Sequence, residues 1–178
     1  LATRYHWRNN RRCFEKNDFR RNSEEFTREY PVVLSTTYSI KGTLSIDHIY
    51  DYLIVDEASQ VDLATGVLAF SCARNIVIVG DLKQLPNVLT EDDIRTSDAI
   101  WQKHSLDERY RFSTHSLLSS ALEIWQNAPV TLLREHYRCH PKIINFCNQK
   151  FYHGQLIVMT KDHDEPDVLT MCRTIAGN

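Results

Sequence analysis

The hydrophobic pattern of this chain predicts a β-α-β series. Tyr50 to Val55 is an apolar run suited to a buried strand, and it ends abruptly in two adjacent carboxylates, Asp56 and Glu57. Val61 to Cys72 has the composition of a crossover helix, and Asn75 to Val79 reads as the next strand, which leads into Gly80-Asp81. Strand, crossover and strand in this order are diagnostic of a parallel, helix-covered sheet. Upstream, Arg4 to Tyr30 reads as a strongly charged helix, Pro31 punctuates its end, and Val32-Val33-Leu34 forms a short β-branched strand. Downstream of Pro86 the sequence turns polar through Glu91-Asp92-Asp93 and has few apolar anchors before Ser116, which predicts a surface excursion. Leu117 to Trp125 then reads as an amphipathic helix and Pro129 to Leu133 as a strand. Pro141 opens a helix through about Lys150, since Pro is tolerated in a first helical turn. Tyr137, Phe146, Phe151 and Tyr152 are assigned to the core around that helix rather than to base stacking.

The ends of the two strands carry the chemistry. Carboxylates at the carboxyl end of a parallel strand lie where nucleotide and Mg²⁺ usually sit. Asp56-Glu57 followed by Ala58-Ser59-Gln60 is one such end, and Gly80 to Pro86 is a second, one crossover unit downstream. The bland reading of an Asp-Glu pair is a solvated strand end. For Asp81 the alternatives are a cap on the turn after Gly80 or a tie to the Asp56-Glu57 turn.

Three strings in order, VDEASQ (Val55 to Gln60), GDLKQLP (Gly80 to Pro86) and LLREHYRCHPKIINFCNQKFYHGQL (Leu132 to Leu156), resemble motifs II, III and IV of superfamily 1 helicases. The similarity is to the subgroup that includes the nonsense-mediated-decay helicase. It runs from about Val32 to Leu156. Such motors are AAA-type P-loop proteins, so the resemblance implies an α/β fold: a RecA-like P-loop NTPase parallel sheet covered by helices. It also implies ATP and Mg²⁺ as cofactors. Asp56 would hold Mg²⁺ through water, Glu57 would orient and deprotonate the attacking water, and Gln84 would sense the γ-phosphate. Arg138 matches the motif IV arginine, which reaches the γ-phosphate across an interdomain cleft with a planar, permanently charged fork. Ser35, Thr36 and Thr37 match a hydroxyl-rich segment, motif Ic, that contacts the nucleic-acid backbone; turn and N-cap roles are the alternative. Pro86 belongs to the motif III contact with nucleic acid, although Asn87 stands where the family usually has a second Pro.

A motor of this kind needs a G-x-x-x-x-G-K-[ST] loop to cradle phosphates. None of Gly42, Gly66, Gly80, Gly154 and Gly177 precedes a Lys-Ser or Lys-Thr pair. The expected fold is therefore incomplete, with the first strand and the phosphate loop missing. Residues 1–30 are expected to be a basic helical segment, 31–128 the C-terminal part of a first RecA-like domain, and 129–178 the start of a second. The implied function is part of an ATP-dependent helicase or translocase on single-stranded DNA or RNA, with this chain alone inactive. A catalytically inactive scaffold that binds nucleic acid or protein is the alternative. An incomplete sheet exposes an apolar edge, so self-association is expected.

Bulk composition adds little. The net charge is −2, but residues 1–30 hold eight Lys or Arg against five Asp or Glu, while the remainder holds 13 against 18. The basic amino-terminal segment could touch phosphates or simply be a solvated helix face. Cys13, Cys72, Cys139, Cys147 and Cys172 form an odd, scattered set that favours a reducing interior and a cytoplasmic or nuclear (nucleoid) location. His136, Cys139, His140 and Cys147 lack paired C-x-x-C spacing, so zinc is not expected. No apolar run approaches the roughly 20 residues of a membrane span.

Overall fold

The computed structural model describes residues 14, 15, 17–170 and 172, which form two compact units divided between Asn127 and Ala128. The amino-terminal unit is built on two strands. β1 (Tyr50–Val55) pairs in parallel with β2 (Ala73–Ile78), in register from Tyr50 opposite Ala73 to Val55 opposite Ile78. Before them come the short helices α1 (Asp18–Arg21), α2 (Ser23–Glu29) and α3 (Ile40–Thr43). The crossover between the strands is α4 (Leu63–Phe70). Its start is set by Asp62, whose carboxylate accepts from the Thr65 amide at 2.9 Å and from the Thr65 hydroxyl at 2.6 Å. Leu63, Gly66 and Ala69 are buried on one stripe of α4, the spacing of a helix lying on a sheet.

α6 (Leu117–Ile124) covers the same region, opened by a reciprocal Ser116–Ser119 capping box. A Cβ on Gly66 would stand 2.5 Å from Leu117 Cδ1, so these helices approach only because residue 66 has no side chain. Val55, Ala58, Leu63, Leu117 and Leu118 form the main core, with Ile40, Ala69 and Cys72 in a second cluster. Each such leucine contributes about 1.5–3 kcal/mol when withdrawn from water.

Among the described residues, helices cover one face of this sheet. Tyr52 and Ile54 are each 67% exposed on the other, so the expected helix-covered sheet is found with two strands and an open face. Val32-Val33-Leu34 joins no sheet among the described residues, and Val32 is 77% and Leu34 92% exposed. A strand forms only where a second backbone completes its hydrogen bonds, and among the described residues β1 pairs with β2 alone. The expected Arg4–Tyr30 helix lies outside the described residues as far as residue 13. From Asp18 onward it is two helices broken at Asn22, where φ −125° and ψ 44° leave the helical region. The polar excursion contains α5 (Glu91–Lys103), opened by a Thr90–Asp93 capping box and burying no residue fully.

The carboxy-terminal unit has β3 (Glu135–His136), α7 (Pro141–Phe151) and β4 (Ile157–Val158), with β3 and β4 parallel. Asn148 is its buried polar hub. Its side chain donates to Leu156 O at 3.1 Å and accepts from the Leu156 amide at 2.9 Å, and Gly154 at φ 74° lets the backbone turn between them. The expected strand Pro129–Leu133 is absent; this run has no regular structure and is exposed, and among the described residues Glu135–His136 is the stretch here that finds a partner. The core assignment of the aromatics is also overturned. Tyr137 is 65% and Phe146 59% exposed, Phe151 is exposed, and Tyr152 is half-buried. A unit of this size with two two-residue strands lacks the surface to cover them.

Among the described residues no helix is long and apolar enough to cross a membrane. Cys72, Cys139, Cys147 and Cys172 are free thiols.

Candidate functional site

Asp56 and Glu57 stand exposed immediately after β1, outside its carboxyl end. Asp56 Oδ1 accepts from the Glu57 amide at 2.9 Å, which fixes the carboxylate against its own turn. Glu57 has φ 52°, a left-handed conformation uncommon for a residue with a side chain. Its carbonyl accepts from the Gln60 amide at 2.9 Å, closing the turn. Strain at a strand end is tolerated where the surroundings over-determine it. Here Ala58 and Ser59 are buried directly behind the two acids.

The second strand end is joined to the first through the backbone. The Val79 amide donates to Val55 O at 2.8 Å and the Ala58 amide to Val79 O at 2.9 Å, extending the ladder past both strands. Gly80 lies so close that a Cβ would stand 3.1 Å from the amide nitrogens of Ala58 and Ser59 and 3.0 Å from Leu118 Cδ2. Beyond it Asp81 organises a turn. Its Oδ1 accepts from the Lys83 amide at 2.9 Å, its Oδ2 from Gln84 Nε2 at 3.2 Å, and its carbonyl from the Gln84 amide at 3.2 Å. These bonds give Asp81 the capping role and also fix the direction of Gln84. Pro86 is exposed on the loop that follows, between the exposed Leu85 and Val88.

Hydroxyls of the 35–37 segment are engaged within the protein. Ser35 Oγ lies 3.2 Å from Thr43 Oγ1, and Thr36 Oγ1 accepts from the Ser39 amide at 3.2 Å. Thr37 donates to Thr65 Oγ1 at 3.4 Å, which in turn donates to the Asp62 carboxylate. Thr36 thus fills a turn role, while Ser35 and Thr36 keep exposed positions. Of the basic amino-terminal residues, Arg20 donates to Gly42 O at 2.8 Å; residues 1–13 lie outside the described residues.

Arg138 belongs to the carboxy-terminal unit. It is exposed in the turn between β3 and α7, and its guanidinium bonds no other described residue. Beside it the Tyr137 hydroxyl donates to Glu135 Oε2, a bond that raises the phenol above its ordinary pKa. His136 Nε2 accepts from the Cys139 amide at 2.8 Å. The metal-capable group among the described residues is a different one, His140 with Asp162 and Glu165. It has no local signature in the sequence, because Asp162 and Glu165 lie more than 20 residues from His140 and read as polar loop. Ser59 was also missed. Its hydroxyl, two residues after Glu57, is buried and has no partner among the described residues.

A parallel β-α-β unit with acids at one strand end and a capped turn at the next has the arrangement of an α/β fold that places ligands at the carboxyl ends of its strands. Comparison with known proteins agrees: residues 3–92 match an AAA domain family, and residues 102–173 match a second AAA domain family. The chain belongs to the AAA domains of superfamily 1 helicases, in the group resembling the nonsense-mediated-decay helicase. It is 31% identical over 75% of its length to the DNA replication ATP-dependent helicase/nuclease DNA2 of Gallus gallus, covering 12% of that protein. To the uncharacterized ATP-dependent helicase MG140 of Mycoplasma genitalium it is 30% identical over 89% of its length, covering 14%. To the 5'-3' DNA helicase ZGRF1 of Mus musculus it is 30% identical over 71%, covering 6%. The chain thus spans a small part of the length of these relatives.

Proposed function

We propose that this chain is part of the motor of an ATP-dependent superfamily 1 helicase or translocase acting on single-stranded nucleic acid. The amino-terminal unit is read as the latter part of a first RecA-like domain and the carboxy-terminal unit as the start of a second. The observation that carries the proposal is the joining of the two strand ends: Asp56-Glu57 and the Asp81–Gln84 turn share one backbone ladder through Ala58, Val79 and Val55. Folding alone does not require an acid pair and an oriented amide at such a junction.

The residues fit Mg²⁺ and a terminal phosphate. Asp56 is exposed, and the bond from the Glu57 amide goes to Oδ1, leaving Oδ2 to face a hydrated cation. Mg²⁺, when bound, supplies charge neutralisation at the phosphates. Glu57 accepts the proton of the attacking water, and Gln84 reads the presence of the γ-phosphate from the adjoining turn. Arg138, whose guanidinium bonds no other described residue, is read as a positive charge for the terminal phosphate. Ser35, Thr36 and Pro86 are read as the nucleic-acid side. Relatives whose names describe DNA helicases favour DNA as the strand. The phosphate loop is not among this chain's residues, so turnover is a property of the whole protein.

The test is Glu57→Gln in the whole protein, measured as Mg²⁺-ATP hydrolysis with and without single-stranded DNA or RNA. Loss of turnover with ATP binding retained supports the proposal, and undiminished hydrolysis overturns it. ATP binding and strand-stimulated turnover both missing from the unaltered protein favour the scaffold reading.

A further inference from the structure

The turn that carries Arg138 is held in place by a distant stretch of the same unit. After β4 the chain runs back across it. Met159 donates its amide to His136 O at 2.9 Å, and Thr160 donates its hydroxyl to Cys139 O at 2.7 Å, so the carbonyls on both sides of Tyr137-Arg138 are engaged. Within the turn the Cys139 amide donates to His136 Nε2 at 2.8 Å. One residue further, His140 does two things. Its Nδ1 accepts from the Lys142 amide at 3.2 Å and caps α7, while its Nε2 faces Glu165 Oε2 at 3.0 Å and Asp162 Oδ1 at 3.3 Å. Lys142 Nζ lies 3.5 Å from the other oxygen of Asp162.

The cap decides what the His140 cluster is for. Three metal-capable atoms lie within 4.8 Å of one another, but a metal needs the Nε2 lone pair. That tautomer would put the proton on Nδ1, against the Lys142 N–H it now accepts. With Nδ1 as acceptor, Nε2 carries the proton and donates to the carboxylates. The cluster is a hydrogen-bonded clamp. The result is a long cationic side chain whose backbone is hydrogen-bonded on both flanks while its guanidinium bonds no other described residue.

We propose that the segment Met159–Glu165 is a strap that positions Arg138, with Thr160 and His140 as its positioning residues. This rests on the reading of Arg138 as the cationic contact to the terminal phosphate. A guanidinium presented from a fixed turn loses less conformational freedom on reaching its target than one on a loose loop, and misplacement by about 1 Å costs up to about 100-fold in rate. Thr160 and His140 touch no substrate and act only through the turn.

The experiment is a mutant cycle on Mg²⁺-ATP turnover by the whole protein in the presence of single-stranded DNA. Thr160→Val removes the bond to Cys139 O with little change of shape, and Thr160→Ser keeps it. His140→Asn keeps a capping side chain and removes the clamp. Thr160→Val and His140→Asn are each expected to lower kcat about 10-fold with KM for ATP within about twofold, while Thr160→Ser stays within about twofold of the unaltered protein. In an Arg138→Ala background the same changes are expected to cost nothing further, because the residue they position is gone. Equal losses in both backgrounds, or no loss from either change in the presence of Arg138, overturn the strap. Full turnover by Arg138→Ala is a separate result and overturns the reading of Arg138 itself.

Discussion

The Ala58 amide donates to the Val79 carbonyl at 2.9 Å, and this bond makes the turn after β1 and the turn after β2 one rigid piece. The acids of the first turn and the Asp81–Gln84 turn are thus joined through the backbone of Ala58 and Val79.

Gly80 keeps that junction tight. Gly80→Ala would place a methyl 3.1 Å from two backbone nitrogens and 3.0 Å from Leu118 Cδ2. The backbone cannot yield as a flexible side chain would. A loss of about 1–3 kcal/mol in urea unfolding of this chain is expected. An unchanged midpoint would show that the ladder is softer than its geometry.

Glu57 holds its φ of 52° against its own side chain. Asparagine adopts this conformation more readily, so Glu57→Asn is expected to raise stability by about 0.5 kcal/mol. The same change is expected to abolish ATP turnover by the whole protein. Stability and activity moving in opposite directions is the outcome to look for, by paired denaturation and hydrolysis assays.

Gly66 allows α4 and α6 to touch. Gly66→Ala would set a methyl 2.5 Å from Leu117 Cδ1, and about 1–3 kcal/mol of destabilisation is expected. In a Leu117→Ala background the penalty should largely disappear. A penalty that persists there would place its origin in the α4 backbone instead.

Acid is expected to loosen the excursion that carries α5. The Arg111 guanidinium, with the Ser113 hydroxyl, holds Asp98 down at about 2. A depressed carboxyl stabilises the fold above its unfolded value, near 4, and the contribution is lost as pH falls toward 2. Trp101, whose ring lies 4.8 Å from the Arg111 guanidinium carbon, is a built-in reporter. Its fluorescence should change between about pH 4 and 2, and Asp98→Asn should remove that transition.

What the sequence determined by itself is whatever local chemistry could enforce. β1, α4, β2, α6 and α7 were legible because their apolar periods, and for α7 the Pro141 of its first turn, lie within the stretch of chain that forms them. The placing of Asp56-Glu57 after a strand was legible for the same reason. The Thr90–Asp93 capping box was a readable signal for α5, hidden by the polarity of its surroundings. Tertiary structure decided the rest. Val32–Leu34 and Pro129–Leu133 have the composition of strands, but a strand depends on a partner that its own residues cannot supply. Phe146 and Phe151 are hydrophobic enough for a core, but the carboxy-terminal unit has too little surface to bury them. The strap over Arg138 joins residues some 20 positions apart through hydrogen bonds, and hydrogen bonds between distant polar side chains leave no periodicity for a sequence to display.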